Sequence, residues 1–137
     1  MQLITYLGFG GNCEEAFRYY EKHLGGKIEA LFRYSEAPNV AEIPADKHKQ
    51  IMHVRLAIGD AVLMGGDNPH GNFAKPHGFS VNIQVDDVKE GERMFNALAD
   101  GGTVMMPYAQ TFWAERFGMC IDRFGTPWMV NAGAESA

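Results

Sequence analysis

The stretch LITYLGFGGNCEEAFRYYEKHLGG, residues 3–26, decides the fold because it holds a strand, a helix and the signals that separate them. Residues 3–9 are β-branched and aromatic, which predicts a buried or half-buried strand. Asn12 followed by Glu15 has the spacing of a helix capping box. Residues 13–24 then carry one apolar stripe at helical spacing, and a glycine pair ends the helix. The stretch therefore predicts a β-strand followed by an amphipathic α-helix.

The same order of elements recurs in FSVNIQVDDVKEGERMFNALADGG, residues 79–102. Its first seven residues alternate apolar and polar, as expected of a strand with one buried face. Asp87 and Glu90 form a second capping box, and a helical stripe again ends at a glycine pair. Matching apolar positions of the two stretches, such as Leu24 and Leu98, are 74 residues apart. The chain is therefore built from two related halves.

Three further strands follow each predicted helix. They span Lys27–Tyr34, Ile51–Ile58 and Ala61–Met64 in the first half, and Thr103–Met106, Phe117–Ile121 and Pro127–Asn131 in the second. Residues 65–78, GGDNPHGNFAKPHG, have the composition of a linker. The prediction is an α+β fold of two tandem βαβββ modules, about 1–66 and 77–132, in a single domain spanning residues 1–137.

Composition excludes several classes of protein. The 137 residues are 46% apolar and carry a net charge of −5, which is typical of a folded globular chain and offers no basic stripe for nucleic acid. No apolar run is long enough to span a membrane. Cys13 and Cys120 lie far apart and outside any CxxC motif, so we expect reduced thiols in a cytoplasmic protein. Neither nucleic acid nor membrane is an expected partner.

Four motifs carry a family resemblance: GNCEEAFRYYEKHLGG (11–26), IMHVRLAIGDAVLMGGD (51–67), TFWAERFG (111–118) and DRFGTPWMVN (122–131). With the element order, they resemble the vicinal oxygen chelate superfamily of glyoxalases, bleomycin-resistance proteins and dioxygenases. The chain looks most like the PhnB-like branch, which also carries a demethylubiquinone-methyltransferase label. The resemblance implies that the modules pair into an eight-stranded, incompletely closed cup, usually within a homodimer.

The resemblance also implies where a metal would sit. Enzymes of the superfamily hold a divalent metal on four His, Glu or Gln side chains from the first and last strands of the modules. Here those positions fall on Thr5, on Leu63 or Met64, on Phe79 and on Met129. None of these suits a hard divalent cation, because thioethers are soft and a phenyl ring does not coordinate. No cofactor is therefore expected, and a divalent metal would need an altered ligand set such as His53 with Asp67.

Three polar residues of the first half are candidates for the site. In the strand 51–58, His53 and Arg55 share one face and could bind an anionic or carbonyl-bearing ligand, with His53 also a candidate general base. The alternative is a hydrogen-bonded strand histidine with Arg55 at the rim. Asp67 could orient His53 or bind a substrate hydroxyl, or it could fix an Asx-turn in the linker.

Aromatic residues supply the second group of candidates. Phe112, Trp113 and Phe117 could form an aromatic wall of a ligand site, or they could pack in the core or at a dimer seam. Asp122 is expected to fix the turn before the last strand. The complete predicted ligand set is Thr5, His53, Arg55, Met64, Asp67, Phe79, Phe112, Trp113, Phe117 and Met129.

The glycine-rich GFGG at residues 8–11 resembles a nucleotide-binding loop only in part. The complete GxGxxG pattern would need glycine at position 13, where Cys13 stands, and the later elements do not alternate as in a doubly wound sheet. We therefore expect a protein that binds or sequesters a small organic molecule without the usual metal. The alternative is a lyase, isomerase or dioxygenase-type enzyme, either metal-free with His53 as base or using an altered metal site.

Overall fold

The computed structural model describes residues 1–71 and 73–135, and only the backbone at 134 and 135. The chain divides into two compact units, unit 1 (Met1–Ala74) and unit 2 (Lys75–Ala137). The division falls inside the predicted linker. No helix within these described residues is long and apolar enough to cross a lipid bilayer.

Unit 1 contains one helix and a four-stranded sheet. Its elements are β1 (Thr5–Phe9), α1 (Cys13–His23), β2 (Lys27–Arg33), β3 (Ile51–Ile58) and β4 (Ala61–Asp67). The strand order is β1-β4-β3-β2, with β1 parallel to β4 and the other neighbours antiparallel. Between β2 and β3 the chain makes short 3-10 turns at Tyr34–Glu36, Val40–Glu42 and Ala45–Lys47.

Unit 2 repeats this topology. Its elements are β5 (Val81–Val85), α2 (Val88–Ala99), β6 (Thr103–Ala109), β7 (Ala114–Ile121) and β8 (Pro127–Glu135). The strand order is β5-β8-β7-β6, and β5 runs parallel to β8. The predicted α+β fold of two βαβββ modules is confirmed.

Each helix packs an aromatic ring against a glycine of its own sheet. A Cβ atom added at Gly65 in β4 would lie 2.6 Å from the Phe17 ring of α1, and one added at Gly118 in β7 would lie 2.6 Å from the Phe95 ring of α2. Phe17 is fully buried and Phe95 nearly so. The two glycines therefore make the close approach of helix and sheet possible, and they identify the sheet face that is packed by the helix.

The capping boxes expected at the two helix starts are wrong. Asn12 makes no side-chain cap hydrogen bond, because its backbone is not extended and a distant carboxylate takes the neighbouring N–H groups. At the second helix Asp87 does accept from the Lys89 N–H, but Glu90 pairs with Arg93 instead of completing the box.

The other two corrections concern strand ends. Phe79 does not lie in a strand, because β5 begins at Val81. Strand β4 runs on to Asp67 rather than ending at Met64, because pairing with β1 continues to the end of both strands. Three residues assigned to the linker are thus part of the sheet.

Candidate functional site

The face of the unit 1 sheet turned away from α1 carries three of the predicted site residues. Strand register places on this face, here called the distal face of unit 1, residues from all four strands: Tyr6, Gly8, Phe32, His53, Arg55, Met64 and Gly66. The sequence predicted His53, Arg55 and Met64, and the structure brings these three together. It adds Tyr6, Phe32 and the glycines, which the sequence analysis missed.

Tyr6 and His53 form the centre of this face. Their rings stack with centroids 5.7 Å apart and planes 24° from parallel. The Tyr6 hydroxyl donates to the Met52 carbonyl oxygen over 3.4 Å, and His53 Nδ1 lies 3.4 Å from the same hydroxyl. Burial, followed by the nearby Cys13 and Tyr34, raises the pKa of Tyr6, so the phenol stays neutral.

This arrangement assigns roles to the two nitrogens of His53. Because the Tyr6 proton is directed at the Met52 carbonyl oxygen, the Tyr6 oxygen is left to accept a hydrogen bond from His53 Nδ1–H. In the neutral imidazole, Nε2 then carries the lone pair. The distal face of unit 1 therefore offers a hydrogen-bond acceptor, or a base, at His53 Nε2.

The surroundings of His53 are mixed in chemistry but balanced in charge. Phe32 lies directly opposite His53 on β2 and is 46% exposed. Arg55, two residues further along β3, pairs with Glu29 over 3.1 Å, which compensates its charge. Met64 lies opposite both Arg55 and Tyr6. The face thus presents aromatic and thioether surface beside hydrogen-bonding groups, without a large net charge.

Two paired glycines leave a flat patch beside the Tyr6–His53 stack. Gly8 of β1 lies opposite Gly66 of β4. A Cβ atom at Gly8 would meet no other atom within 4 Å, so the patch is open above that strand. At Gly66 a Cβ would lie 2.9 Å from the Tyr6 hydroxyl and 2.8 Å from the Met52 carbonyl oxygen. Gly66 is therefore needed for the hydroxyl of Tyr6 to reach its acceptor.

Asp67 does not join this group. Its side chain is buried on the helix side of the sheet, where Oδ1 accepts from the backbone N–H groups of Gly11 and Cys13 and Oδ2 accepts from that of Ile51. The structure therefore separates Asp67 from His53 and gives it neither an Asx-turn nor the orienting role. Instead the carboxylate joins the start of α1 to the start of β3.

The same contact engages two of the N–H groups through which a glycine-rich loop at a helix start would bind a phosphate. A free helix N-terminus attracts anions because its first N–H groups have no partners. At α1 the Asp67 carboxylate already occupies that position. Burial and the nearby Asp67 charge raise the pKa of Cys13, so this thiol stays protonated despite its place at a helix start.

The distal face of unit 2 has different chemistry. Here register places two rows of side chains opposite one another on the face turned away from α2: Asn82, Met129, Met119 and Met106 in one row, and Gln84, Asn131, Phe117 and Ala109 in the other. Of the predicted residues, Met129 and Phe117 lie on this face. Asn131 Nδ2 donates to Asn82 Oδ1 over 2.7 Å.

The three aromatic residues predicted to form a wall, Phe112, Trp113 and Phe117, contact one another in sequence. The Trp113 ring lies 4.8 Å from that of Phe112 and 5.3 Å from that of Phe117, both in edge-to-face contact. Phe112 is almost fully exposed, whereas Phe117 is buried. The three rings thus run from the sheet face to the surface.

Two further predicted residues are not among the strand residues of the distal faces. Thr5 is opposite Leu63 and shares the alternation of the buried Leu7, so it lies on the helix side of β1, with Tyr6 as the neighbour on the distal side. Phe79 precedes β5 and is half exposed. The alternation of buried and exposed residues in β1 could have predicted that Tyr6, and not Thr5, lies on the distal side. A shift of one residue along a strand exchanges the two faces.

The residues at the paired first and last strands do not fit a hard divalent metal. On the distal faces these positions hold Tyr6 beside Met64 and Asn82 beside Met129. A neutral phenol, an amide and two thioethers lack the carboxylate or imidazole donors that such a cation requires. Within the described part of the chain, no group of three or more His, Cys, Asp or Glu side chains could hold a metal.

Asp122 fixes the β7–β8 turn, as predicted. Its Oδ1 accepts from the N–H groups of Phe124 and Thr126, and its Oδ2 accepts from the Trp128 indole. Trp128 is buried in the core of unit 2. Asp122 therefore stabilises the turn and the Trp128 ring, as its hydrogen bonds show.

Comparison with known proteins gives the family. A family model described as 3-demethylubiquinone-9 3-methyltransferase matches residues 1–131. The chain belongs to the family that this model describes. Protein YjdN of Escherichia coli K12 is 34% identical over 96% of this chain and 95% of its own length.

Solved structures share the fold of this chain. Protein PA1353 of Pseudomonas aeruginosa is 47% identical, with a TM-score of 0.87 over 97% of this chain and 98% of that one. The PhnB protein of Bacillus cereus is 23% identical, with a TM-score of 0.81 over 97% and 100%. A glyoxalase/bleomycin resistance protein/dioxygenase family enzyme of Burkholderia phytofirmans, 11% identical, has a TM-score of 0.64 over 96% and 97%. The likenesses to the Bacillus and Burkholderia proteins show the fold alone.

Proposed function

We propose that this protein binds a small, planar organic molecule on the distal face of unit 1, without the divalent metal of its enzyme relatives. The observation that carries the proposal is the Tyr6–His53 stack beside the open patch at Gly8. Small-molecule sites combine apolar and aromatic surface with a few placed polar groups. The distal face of unit 1 has this composition, with Phe32 and Met64 beside the polar groups of Tyr6 and His53.

The residues present define the chemistry of the ligand. The Tyr6 ring, Phe32 and Met64 favour contact with a flat, polarisable ring system. His53 Nε2 would accept a hydrogen bond from a hydroxyl or N–H group on that ring. Since Arg55 is already paired with Glu29, strong selection for anions is not expected.

A thermal-shift screen tests the proposal. Planar phenols and heteroaromatic N–H compounds are added to metal-free protein, and the compounds that raise the melting temperature are ranked by calorimetric affinity. His53→Ala should weaken the best of them about tenfold, since the hydrogen bond and the ring stack are both lost. Tyr6→Phe keeps the ring but not the hydroxyl, and should cost less.

A matched variant on unit 2 serves as the control. Gln84→Ala changes an exposed side chain of the other unit and should leave the affinity unchanged. Equal affinity in the wild type and in His53→Ala would refute the proposed site. So would a screen in which no phenol or heteroaromatic compound raises the melting temperature.

A second candidate function is metal-free proton transfer with His53 as the base. The hydrogen bond between His53 Nδ1 and Tyr6 supports it, because a base held by its other nitrogen is oriented for catalysis. The bound compound would lose a proton from carbon next to a carbonyl group. Wild-type protein in heavy water should then exchange that proton faster than His53→Ala does, and equal rates would remove His53 from this role.

A further inference from the structure

Arg55 brings a permanent positive charge to the distal face of unit 1. It shares this face with His53, two residues away along β3. A guanidinium has five N–H donors and matches a carboxylate in shape, so an uncompensated arginine beside a ligand selects anions. The proposed ligand is neutral. The charge of Arg55 therefore needs a partner on the protein itself.

Glu29 of β2 is that partner. Its Oε1 accepts a hydrogen bond from Arg55 Nε over 3.1 Å. A bond through Nε uses one of the five guanidinium donors and leaves others for a ligand. The side chains are 34% exposed for Arg55 and 49% exposed for Glu29, so water weakens their attraction in the free protein. A ligand that covers the face removes this water and strengthens the charge interactions beneath it.

A β-bulge in β2 keeps Glu29 on the same face as Phe32. The register of the β2–β3 ladder shifts at this point and leaves Glu29 as an extra residue. In a regular strand the two side chains would point to opposite faces, because side chains alternate and the positions are three apart. With the bulge, Phe32 lies opposite His53. The same strand still places the Glu29 carboxylate on Arg55. Bulges re-aim side chains beside functional sites in this way.

The Glu29 carboxylate acts on an anionic ligand in two ways. It offsets the attraction of Arg55, and it repels the negative charge of the ligand itself at close range. Proteins discriminate between ligands by unfavourable contacts with the wrong one as well as by contacts with the right one. A neutral ring meets neither effect and keeps its hydrogen bond to His53. Glu29 therefore lowers the affinity for anions selectively.

We propose that Glu29 is the specificity-determining residue of the distal face of unit 1, and that its carboxylate excludes organic anions in favour of neutral planar molecules. This inference rests on the binding site proposed above and assigns the residue that selects the ligand class there. Removal of the Glu29 charge alone should then allow rings that bear a carboxylate to bind, with Arg55 as their partner.

Two compounds that differ in charge test the proposal. Quinaldamide and quinaldate carry an amide group or a carboxylate on the same planar quinoline ring, and quinaldate is an anion at neutral pH. Calorimetry of the wild-type protein should show tighter binding of quinaldamide. Glu29→Gln keeps the shape of the side chain and an acceptor for Arg55. It should bind quinaldate about tenfold more tightly than the wild type does, the gain expected for one charge-assisted hydrogen bond, with unchanged affinity for quinaldamide.

Two further substitutions identify the cation responsible. In Glu29→Gln protein, Arg55→Gln should remove the gain for quinaldate. Lys27→Gln in the same background should keep most of it, because Lys27 lies opposite Ala57, farther from His53 along the sheet than Arg55 is. Added salt should reduce the gain, since salt screens partly exposed charges. A gain that survives Arg55→Gln, or that does not change with salt, would contradict the electrostatic role of Glu29.

Methionine-methyl NMR locates both compounds. Met64 lies opposite Arg55, so its methyl signal should shift with quinaldamide in the wild type and with quinaldate in Glu29→Gln. The signals of Met119 and Met129 in unit 2 should stay in place. Shifts confined to those two methionines would overturn the proposal.

The results separate the role of Glu29 from the binding site on which it rests. If quinaldamide binds and the affinity for quinaldate is equal in wild type and Glu29→Gln, the role of Glu29 is refuted while the site remains. If quinaldate gains affinity in Glu29→Gln but quinaldamide binds to neither protein, the exclusion of anions by Glu29 stands and the neutral ligand of the proposed function is refuted. Binding of neither compound to either protein would refute both.

Discussion

The two units share one topology but begin their helices in different ways. In unit 1 the backbone N–H groups at the start of α1 are bound by Asp67, a residue of β4 more than 50 positions away in the chain. In unit 2 the start of α2 is bound by Asp87, the residue just before the helix. A distant cap ties the helix to the sheet, whereas a local cap fixes only the helix end. Unit 1 therefore depends on a single buried carboxylate in a way that unit 2 does not.

The two units also pack their helices alike but carry different side chains on their distal faces. On the helix side of both units, an aromatic ring of the helix packs against a glycine of the sheet. That glycine lies in β4 in unit 1 and in β7 in unit 2. On the distal side unit 1 carries an imidazole, a guanidinium and a phenol, whereas unit 2 carries amides and thioethers. The buried side keeps its packing while the distal side varies in chemistry. This is the pattern expected when function resides on the distal faces.

The largest effect is expected at Asp67. Asp67→Ala removes the acceptor of three backbone N–H groups in a buried setting and should lower the free energy of unfolding by about 3–5 kcal/mol. Urea denaturation measures this loss. A loss no greater than that of an exposed carboxylate such as Asp60→Ala would contradict the role assigned to Asp67.

The next largest effect is expected at Gly65 and Gly118, the two glycines that lie against the helix rings. Gly118→Ala should cost about 1–3 kcal/mol, because the atoms nearest to the added methyl belong to the Phe95 ring, which can shift. Gly65→Ala should cost more, because its methyl would also lie 2.8 Å from the backbone oxygen of Leu7. Unfolding curves of the two variants, measured side by side, decide the order. The reverse order would show that the two units do not pack in the way described.

The local cap should have a smaller effect. Asp87→Ala removes one side-chain bond to the Lys89 N–H and should cost about 1 kcal/mol. Asp87→Ser, which keeps an acceptor, should recover most of the loss in the same urea titration. A loss at Asp87 equal to that at Asp67 would remove the distinction between distant and local caps.

The smallest effect concerns pH. A hydrogen bond from Arg33, strengthened by the charges of Arg33 and Arg18, lowers the pKa of Glu14. The folded pKa lies below the unfolded one, so the stabilisation is present above the unfolded value and is lost as pH falls through the folded value. Because this ion pair is partly exposed, it should contribute less than about 1 kcal/mol.

Urea midpoints of wild-type protein and Glu14→Gln, compared across acidic pH, test this. The two should converge as Glu14 becomes protonated. Glu90→Gln in unit 2 should change the midpoint less, since its pair with Arg93 joins neighbouring turns of one helix in solvent. A constant difference at all pH values would contradict the assignment to Glu14.

The fold was predictable because its signals are local. Alternation, helical stripes and glycine pairs recur in both halves, and they identified all eight strands and both α-helices that the described residues form. The role of Asp67 was not predictable, because its partners Gly11 and Ile51 are distant in sequence and only parallel pairing of β1 with β4 brings them together. Tyr6 was missed for a different reason. An offset of one residue assigned Thr5 to the ligand face, and strand register corrects it.

The central claim is that the open patch at Gly8 beside the Tyr6–His53 stack receives a planar ligand. Gly8→Val tests it most directly, because a side chain there meets no other atom within 4 Å of its Cβ and valine is favoured in strands. The account predicts an unchanged melting temperature and a loss of more than about tenfold in calorimetric affinity for the strongest compound of the screen. Unchanged affinity in a folded Gly8→Val protein would contradict it.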